Sequence, residues 1–192
     1  MPSDSILIDE ARTPLIISGP VERIGKQYFH DLKTPVERLM NSQNQLISKL
    51  LNEAEALLPE NEQEACLQLL KVKRGSLTNK RFMKPVKDGP LKKNIDQIEL
   101  DYIRDKNLHE LDAELFFSID EKSNIIDLTE KGRQLLSPND PNFFVLPDLS
   151  MADDADLADE ERQKKLLKLE RQFQETSEKI QTITQLLKAY SL

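Results

Sequence analysis

Near the C-terminus, Leu166, Leu169, Phe173, Thr176, Ile180, Ile183, Leu187 and Tyr190 follow one another at alternating spacings of three and four residues. That rhythm holds a single apolar stripe on one face of an α-helix. The acidic lead-in Asp153, Asp154, Asp156, Asp159 and Glu160 complements the positive end of a helix dipole, so the spacing predicts a long helix over 152–191. A stripe this narrow needs a partner. Between Pro35 and Leu58 a second stripe runs through Val36, Leu39, Leu46, Leu50, Ala54 and Leu57, with Gln43 filling the one polar gap. Thr34 and Glu37 flank Pro35 as a capping box with proline at the first helical position, which sets the expected start of that helix. The two are expected to pair antiparallel; self-association as a dimeric coiled coil is the competing arrangement.

The chain between them divides by its periodicity. A helix is expected from about Glu60 to Arg74, with Ala65, Leu69 and Val72 on one face and Gly75 as its stop. A basic turn or short helix follows to Lys87. Asp88-Gly89-Pro90 breaks the chain before a further helical stripe at Leu91, Ile95, Ile98 and Tyr102. At Leu115 the pattern changes: Leu115–Ile119 and Ile125–Leu128 flank the polar run 120–124, a hairpin with a five-residue loop. Thr129 and Glu130 then cap a brief helix ending near Pro138, and SPNDPNFFVLPDLS reads as an extended segment packed on something else. At the other end, Leu15, Ile16 and Ile17, behind Pro14 and closed by Gly19-Pro20, read as one strand. The fold class is α+β and mostly helical. It has a small hairpin and stem sheet, and a long C-terminal helix packed against a helical block.

Composition removes several chemistries. Of the 192 residues one is cysteine, Cys66, and two are histidine, His30 and His109. No intramolecular disulfide and no soft-ligand zinc set follow from these, and a reducing cytosol is the default compartment. Apolar runs stop at about four residues, far short of the ~20 needed to cross a bilayer, and the first 30 residues lack the apolar core of a signal peptide. There is no phosphate loop, no G-x-G-x-x-G and no H-E-x-x-H. The acidic run before the long helix lacks the glycine and bidentate glutamate of an EF-hand. Neither histidine has a partner at ligand spacing, and Cys66 sits inside a helical stripe. Read from its residues, the chain is a binding module without an active site or a cofactor of its own.

Charge is unevenly spread. The net charge is −7, yet residues 71–93 carry nine basic side chains and one acidic. Lys71, Lys73, Arg74, Lys80, Arg81, Lys84 and Lys87 make the densest part, a candidate contact patch, with Lys92 and Lys93 beyond it. Counterion release rewards such clusters on nucleic acid. The acidic chain and the single interleaved aromatic, Phe82, favour instead a solvated helical face or a lid over acidic neighbours. No nucleic-acid partner is expected.

DSILIDEARTPLIISGP, residues 4–20, closely resembles the SecA preprotein translocase family where its first nucleotide-binding domain is interrupted by the preprotein-binding, or cross-linking, domain. FFSIDEKSNIIDLTEKG, residues 116–132, is similar to the family's hairpin in that domain, and QLLKAYSL, residues 185–192, to the helix leading back to the motor. The resemblance implies a stem strand over residues 1–20 and a preprotein-binding domain over 21–192. Within it lie a lineage-specific helical elaboration at 35–110, the hairpin at 115–128 and the long helix at 152–191. It places Asp4 at the last position of the parent's acidic nucleotide-binding motif, while Met1-Pro2-Ser3 departs from the family pattern. ATP and Mg²⁺ would then belong to the intact parent, an ATP-hydrolysing translocase of the cytoplasm peripherally bound to the inner membrane. The implied partners are unfolded preproteins and signal peptides, the Sec translocon channel and the rest of the motor. The candidate peptide-binding residues are Leu15, Ile16 and Ile17 in the stem and Phe117, Ile119, Ile125 and Leu128 on the hairpin. The alternative is a helical interaction domain that docks its basic segment on the translocon or on anionic lipid.

Overall fold

Val21–Leu57 forms one 37-residue helix, α1, which continues through Pro35. The computed structural model describes residues 21–87, 89–153 and 155–191, with side chains from Tyr28 onward. The expected stem strand, with Asp4, Leu15, Ile16 and Ile17, lies outside the described residues. The capping-box start at Thr34 is overturned. Pro35 cannot donate to the carbonyl of Asp31, but Asp31 is exposed, so water can reach that oxygen. Leu32, Val36 and Leu39 on the same stretch are buried, each worth ~1.5–3 kcal/mol, which outweighs the lost bond.

Helix α2 covers Glu62–Gly75. Asn61 caps it by accepting from the Glu64 amide at 3.2 Å, with Glu62 and Glu64 in the first turn and Lys73 and Arg74 in the last. Helix α3, Lys80–Val86, is capped by Asn79, and α4, Pro90–Arg104, starts with proline in its first turn. The short α5, Leu108–Asp112, leads into the hairpin of β1, Phe117–Asp120, and β2, Ile125–Leu128. The pairing is antiparallel, Phe117 opposite Leu128 and Asp120 opposite Ile125. The loop is thus residues 121–124, one shorter than expected, because Asp120 is itself paired and Asn124 takes φ 55° to close the turn.

Thr129 caps α6, Glu130–Leu136, and also donates to the Leu115 carbonyl at 2.7 Å, tying the helix to the strand entrance. A Cβ on Gly132 would fall 1.9 Å from the Phe116 carbonyl oxygen, so only glycine lets α6 lie this close. The proline-punctuated segment turns over the hairpin core, with Phe143 and Phe144 edge to face at 4.8 Å. A 3₁₀ turn follows at Leu149–Ala152.

The long helix, α7, runs Asp159–Ser191 and starts later than residue 152. Arg162 donates to the carbonyls of Leu157 and Ala155, which holds the preceding residues in turns. Helix α7 packs beside α1, but the direction differs from expectation. Lys179 lies over the Tyr28 ring, Tyr190 donates to Glu37 at 2.9 Å, and Ser191 meets Met40. Contacts climb both helices in the same order, so the pair is parallel. Its buried seam is confined to the C-terminal half, at Thr182, Ile183, Leu186 and Leu187, while Leu166 at the start of the stripe is exposed.

Two cores share α1. Ile47, Leu50, Leu51 and Ala54 meet Cys66, Leu69, Leu70, Phe82, Ile95 and Leu115. Leu32, Val36 and Leu39 meet Phe117, Ile119, Ile126, Ile183 and Leu187. Burial pushes the Cys66 thiol pKa up, helped by the nearby Glu62 charge. Between the two cores sits Gln43, 1% exposed.

Candidate functional site

The hairpin is the natural place to look for polypeptide binding, because a two-stranded sheet has two edges. Thr129 donates its amide to the Phe116 carbonyl at 3.2 Å. With the observed register, Ser118–Asp127 and Asp120–Ile125 are then the hydrogen-bonded pairs. The backbone groups of Phe117 and Ile119 face outward on one side, those of Ile126 and Leu128 on the other.

The β1 side is occupied at its first residue. Gln43 Nε2 donates to the carbonyls of Phe117 at 2.8 Å and Gly75 at 3.1 Å, while its Oε1 accepts from the Phe116 amide at 2.9 Å. The β2 side has no third strand among the described residues. It presents the outward groups of Ile126 and Leu128 as an edge.

The four hairpin candidates separate. Phe117 is 1% and Ile119 3% exposed. Both belong to the core formed with Leu32, Val36 and Leu39 of α1 and Ile183 and Leu187 of α7, so neither offers surface to a bound chain among the described residues. Ile125 is 48% exposed at the loop end of β2 and is free to make contact. Leu128 is half-buried and packs towards Gly132. Sequence reading missed the apolar surface of the proline-punctuated segment, where Val145, Leu146 and Leu149 are exposed. The signal was present in FFVLP, whose four apolar residues in a row cannot all face one core. Val145 lines a cavity of about 470 Å³ with Arg133, Pro138 and Phe144.

The basic segment is not one patch. Lys71, 7% exposed, pairs with Glu114 at 2.8 Å. Lys73 bridges Asp96 at 3.2 Å and Glu99 at 2.7 Å. Arg74 Nη2 donates to Asp112 at 2.7 Å, and Arg81 reaches Glu55 at 3.0 Å. Burial works against the charge on Lys73, but hydrogen bonds to Glu99 and Asp96 outweigh it and raise the pKa; the Asp112 hydrogen bond likewise raises that of Arg74. These four cations are engaged by acidic neighbours within the fold, with Lys71, Lys73 and Arg74 largely covered and Arg81 still half exposed. Lys80, Lys84 and Lys87, spaced i, i+4, i+7 on α3 and its C-cap, form no ion pair with described residues, and neither do Lys92 and Lys93.

Among the described residues no group of His, Cys, Asp and Glu is placed to hold a metal ion. No described helix is long and apolar enough to cross a membrane.

A family model described as the SecA DEAD-like domain matches residues 3–191. The chain belongs to the SecA family. The "Protein translocase subunit SecA" of Chlorobium phaeobacteroides (strain BS1) is 44% identical over 201 residues, covering 98% of this chain and 20% of that protein. The proteins of the same description from Chlorobaculum tepidum and Chloroherpeton thalassium are 43% and 40% identical, again over 98% of the chain and 20% of theirs. The chain thus spans about a fifth of the length of the curated SecA relatives it matches. No solved structure matches it. The match over residues 3–191 includes the helices α2 to α5, so this SecA-family chain carries the helical block inside the matched region.

Proposed function

We propose that this chain is the preprotein-binding part of a SecA-type protein translocase. In this reading residues 1–20 supply the stem and residues 21–192 the binding domain. The parent, cytoplasmic and peripherally attached to the inner membrane, supplies ATP, Mg²⁺ and hydrolysis and hands the chain on to the Sec translocon. Unfolded preproteins and signal peptides are the ligands. They are held as one wall of a clamp, through main-chain hydrogen bonds to a sheet edge that tolerate any side-chain sequence.

The observation that carries the reading is the open side of the hairpin. Gln43 takes the Phe117 carbonyl on the β1 edge, while β2 keeps its outward amide and carbonyl groups beside the exposed side chain of Ile125. An extended segment added there gains hydrogen bonds from Ile126 and Leu128 and apolar contact from Ile125. The candidate set on the described residues narrows to Ile125 and Leu128, with Leu15, Ile16 and Ile17 as stem contacts.

The test is a titration of the isotopically labelled domain with a signal peptide. Amide shifts concentrated at residues 125–128, reduced in Ile125→Ser, are the expected result. Unmoved hairpin amides at millimolar peptide would remove the proposal.

A further inference from the structure

The helices of the basic segment and the tip of the hairpin enclose a cavity of about 280 Å³. Its apolar wall includes Leu77, Met83 and Val86; Lys87 and Lys92 line it from α3 and α4, and Glu121 from the hairpin loop. Met83 is 47% exposed, a flexible thioether of the kind that adapts to varied apolar partners. A smaller cavity of about 120 Å³ shares Lys73, Leu77 and Glu121 with the first, so the two abut along the junction between helices and hairpin. The larger falls just short of the ~300–1,000 Å³ of a small-molecule pocket. It has room for a large apolar side chain.

The charge around this cavity is unmatched. Lys73 is taken by Asp96 and Glu99, whereas Lys87 and Lys92 at the cavity, with Lys80, Lys84 and Lys93 on the same two helices, have no acidic partner among the described residues. Glu121 is the acidic wall residue left over once Asp96 is bound to Lys73. Lys80, Met83, Lys84 and Lys87 share one face of α3 by their spacing. A concave apolar floor with a cationic rim complements an apolar side chain flanked by carboxylates, as in other acidic-motif grooves. A flat lipid surface would meet the rim and leave the floor empty.

We infer that the cavity between α3, α4 and the hairpin tip is a binding groove for acidic polypeptide segments that carry a central apolar residue. It is separate from the β2 edge and does not depend on it.

Fluorescence anisotropy with the whole chain tests this, using a fluorescein-labelled hexapeptide in which a Leu-Phe pair lies between two acidic dipeptides. Binding should weaken as salt is raised and should be lost when the acids are replaced by their amides. Lys87→Gln with Lys92→Gln should weaken it roughly tenfold, and Met83→Ser should weaken it as well. Lys164→Gln with Lys168→Gln on α7 should leave it unchanged. Circular dichroism melts confirm that each variant is folded. Unchanged affinity in the Lys87/Lys92 variant, or equal affinity for the amide peptide, overturns the inference. So does Lys87- and Lys92-dependent sedimentation with phosphatidylglycerol vesicles in the absence of peptide binding, which would make the corner a membrane contact.

Discussion

The side-chain amide of Gln43 donates to the carbonyl of Phe117 across 74 residues of sequence, at 2.8 Å and with almost no solvent contact. The same amide holds the Gly75 carbonyl, and its oxygen holds the Phe116 amide. One residue therefore satisfies the end of α2 and the entrance of β1 at the boundary of two apolar cores. Three backbone groups depend on it.

Gln43→Leu leaves those three groups buried without partners. Each orphan costs ~1–3 kcal/mol; leucine's apolar burial returns part of that, so a net loss of about 3 kcal/mol is expected in urea unfolding. Gln43→Glu keeps the acceptor but, when ionised, has no donor. Its deficit should shrink as pH falls and the acid gains a proton to donate.

Gly132→Ala places a Cβ against the Phe116 carbonyl, which is fixed backbone. Overpacking of this kind costs ~1–3 kcal/mol where side chains can yield, and here the neighbour cannot. A loss of about 3 kcal/mol in thermal unfolding is expected, with α6 displaced and the amides of Leu128 and Thr129 shifted most.

Arg74 and Asp112 face each other largely out of water, their side chains 12% and 16% exposed. Removing one partner of such a pair strands the other charge, so Arg74→Met should cost about 3 kcal/mol. Arg74→Met combined with Asp112→Leu should recover most of it. A double-mutant cycle by urea denaturation measures the coupling.

Asp120 opens the hairpin loop. Its hydrogen bonds with Ser123 first, and with the Lys122 amide, hold its carboxyl below the ordinary value. The folded loop favours the ionised form, so its contribution is present above the ordinary carboxylate pKa of ~3.9 and is lost as pH falls through the lowered folded value. Protection factors of the Lys122 and Ser123 amides, taken against intrinsic exchange at each pH, should fall over that range, and Asp120→Ala should remove this fall.

Much of this architecture was legible because it rests on period. The stripe ending at Tyr190 and the alternation around Ile119 and Ile126 name a helix and a hairpin. What period cannot carry is direction, since a stripe looks alike from either end; the parallel course of α1 and α7 shows in the pairs Tyr28–Lys179, Tyr190–Glu37 and Ser191–Met40. Thr34-Pro35 reads as a helix start because capping is a local signal, whereas the burial of Leu32 and Val36 that overrides it comes from α7 and the hairpin. The charge count found the basic segment, but the acids that neutralise Lys71, Lys73 and Arg74 lie 23 to 43 residues further on. Gln43 was visible as a polar break in its stripe, and the groups it serves were not.

The packing of α7 on α1 also orders the events of synthesis. Helices α1 to α5 close their core with neighbours in sequence, so that half can assemble as it leaves the ribosome. The other half waits: Leu32, Val36, Phe117 and Ile126 keep one side uncovered until Ile183, Leu186 and Leu187 arrive more than 140 residues after Val36. Closing so long a loop is slow. A nascent chain stalled just short of α7 therefore displays a half-finished apolar face, and that face is where a chaperone should be found attached.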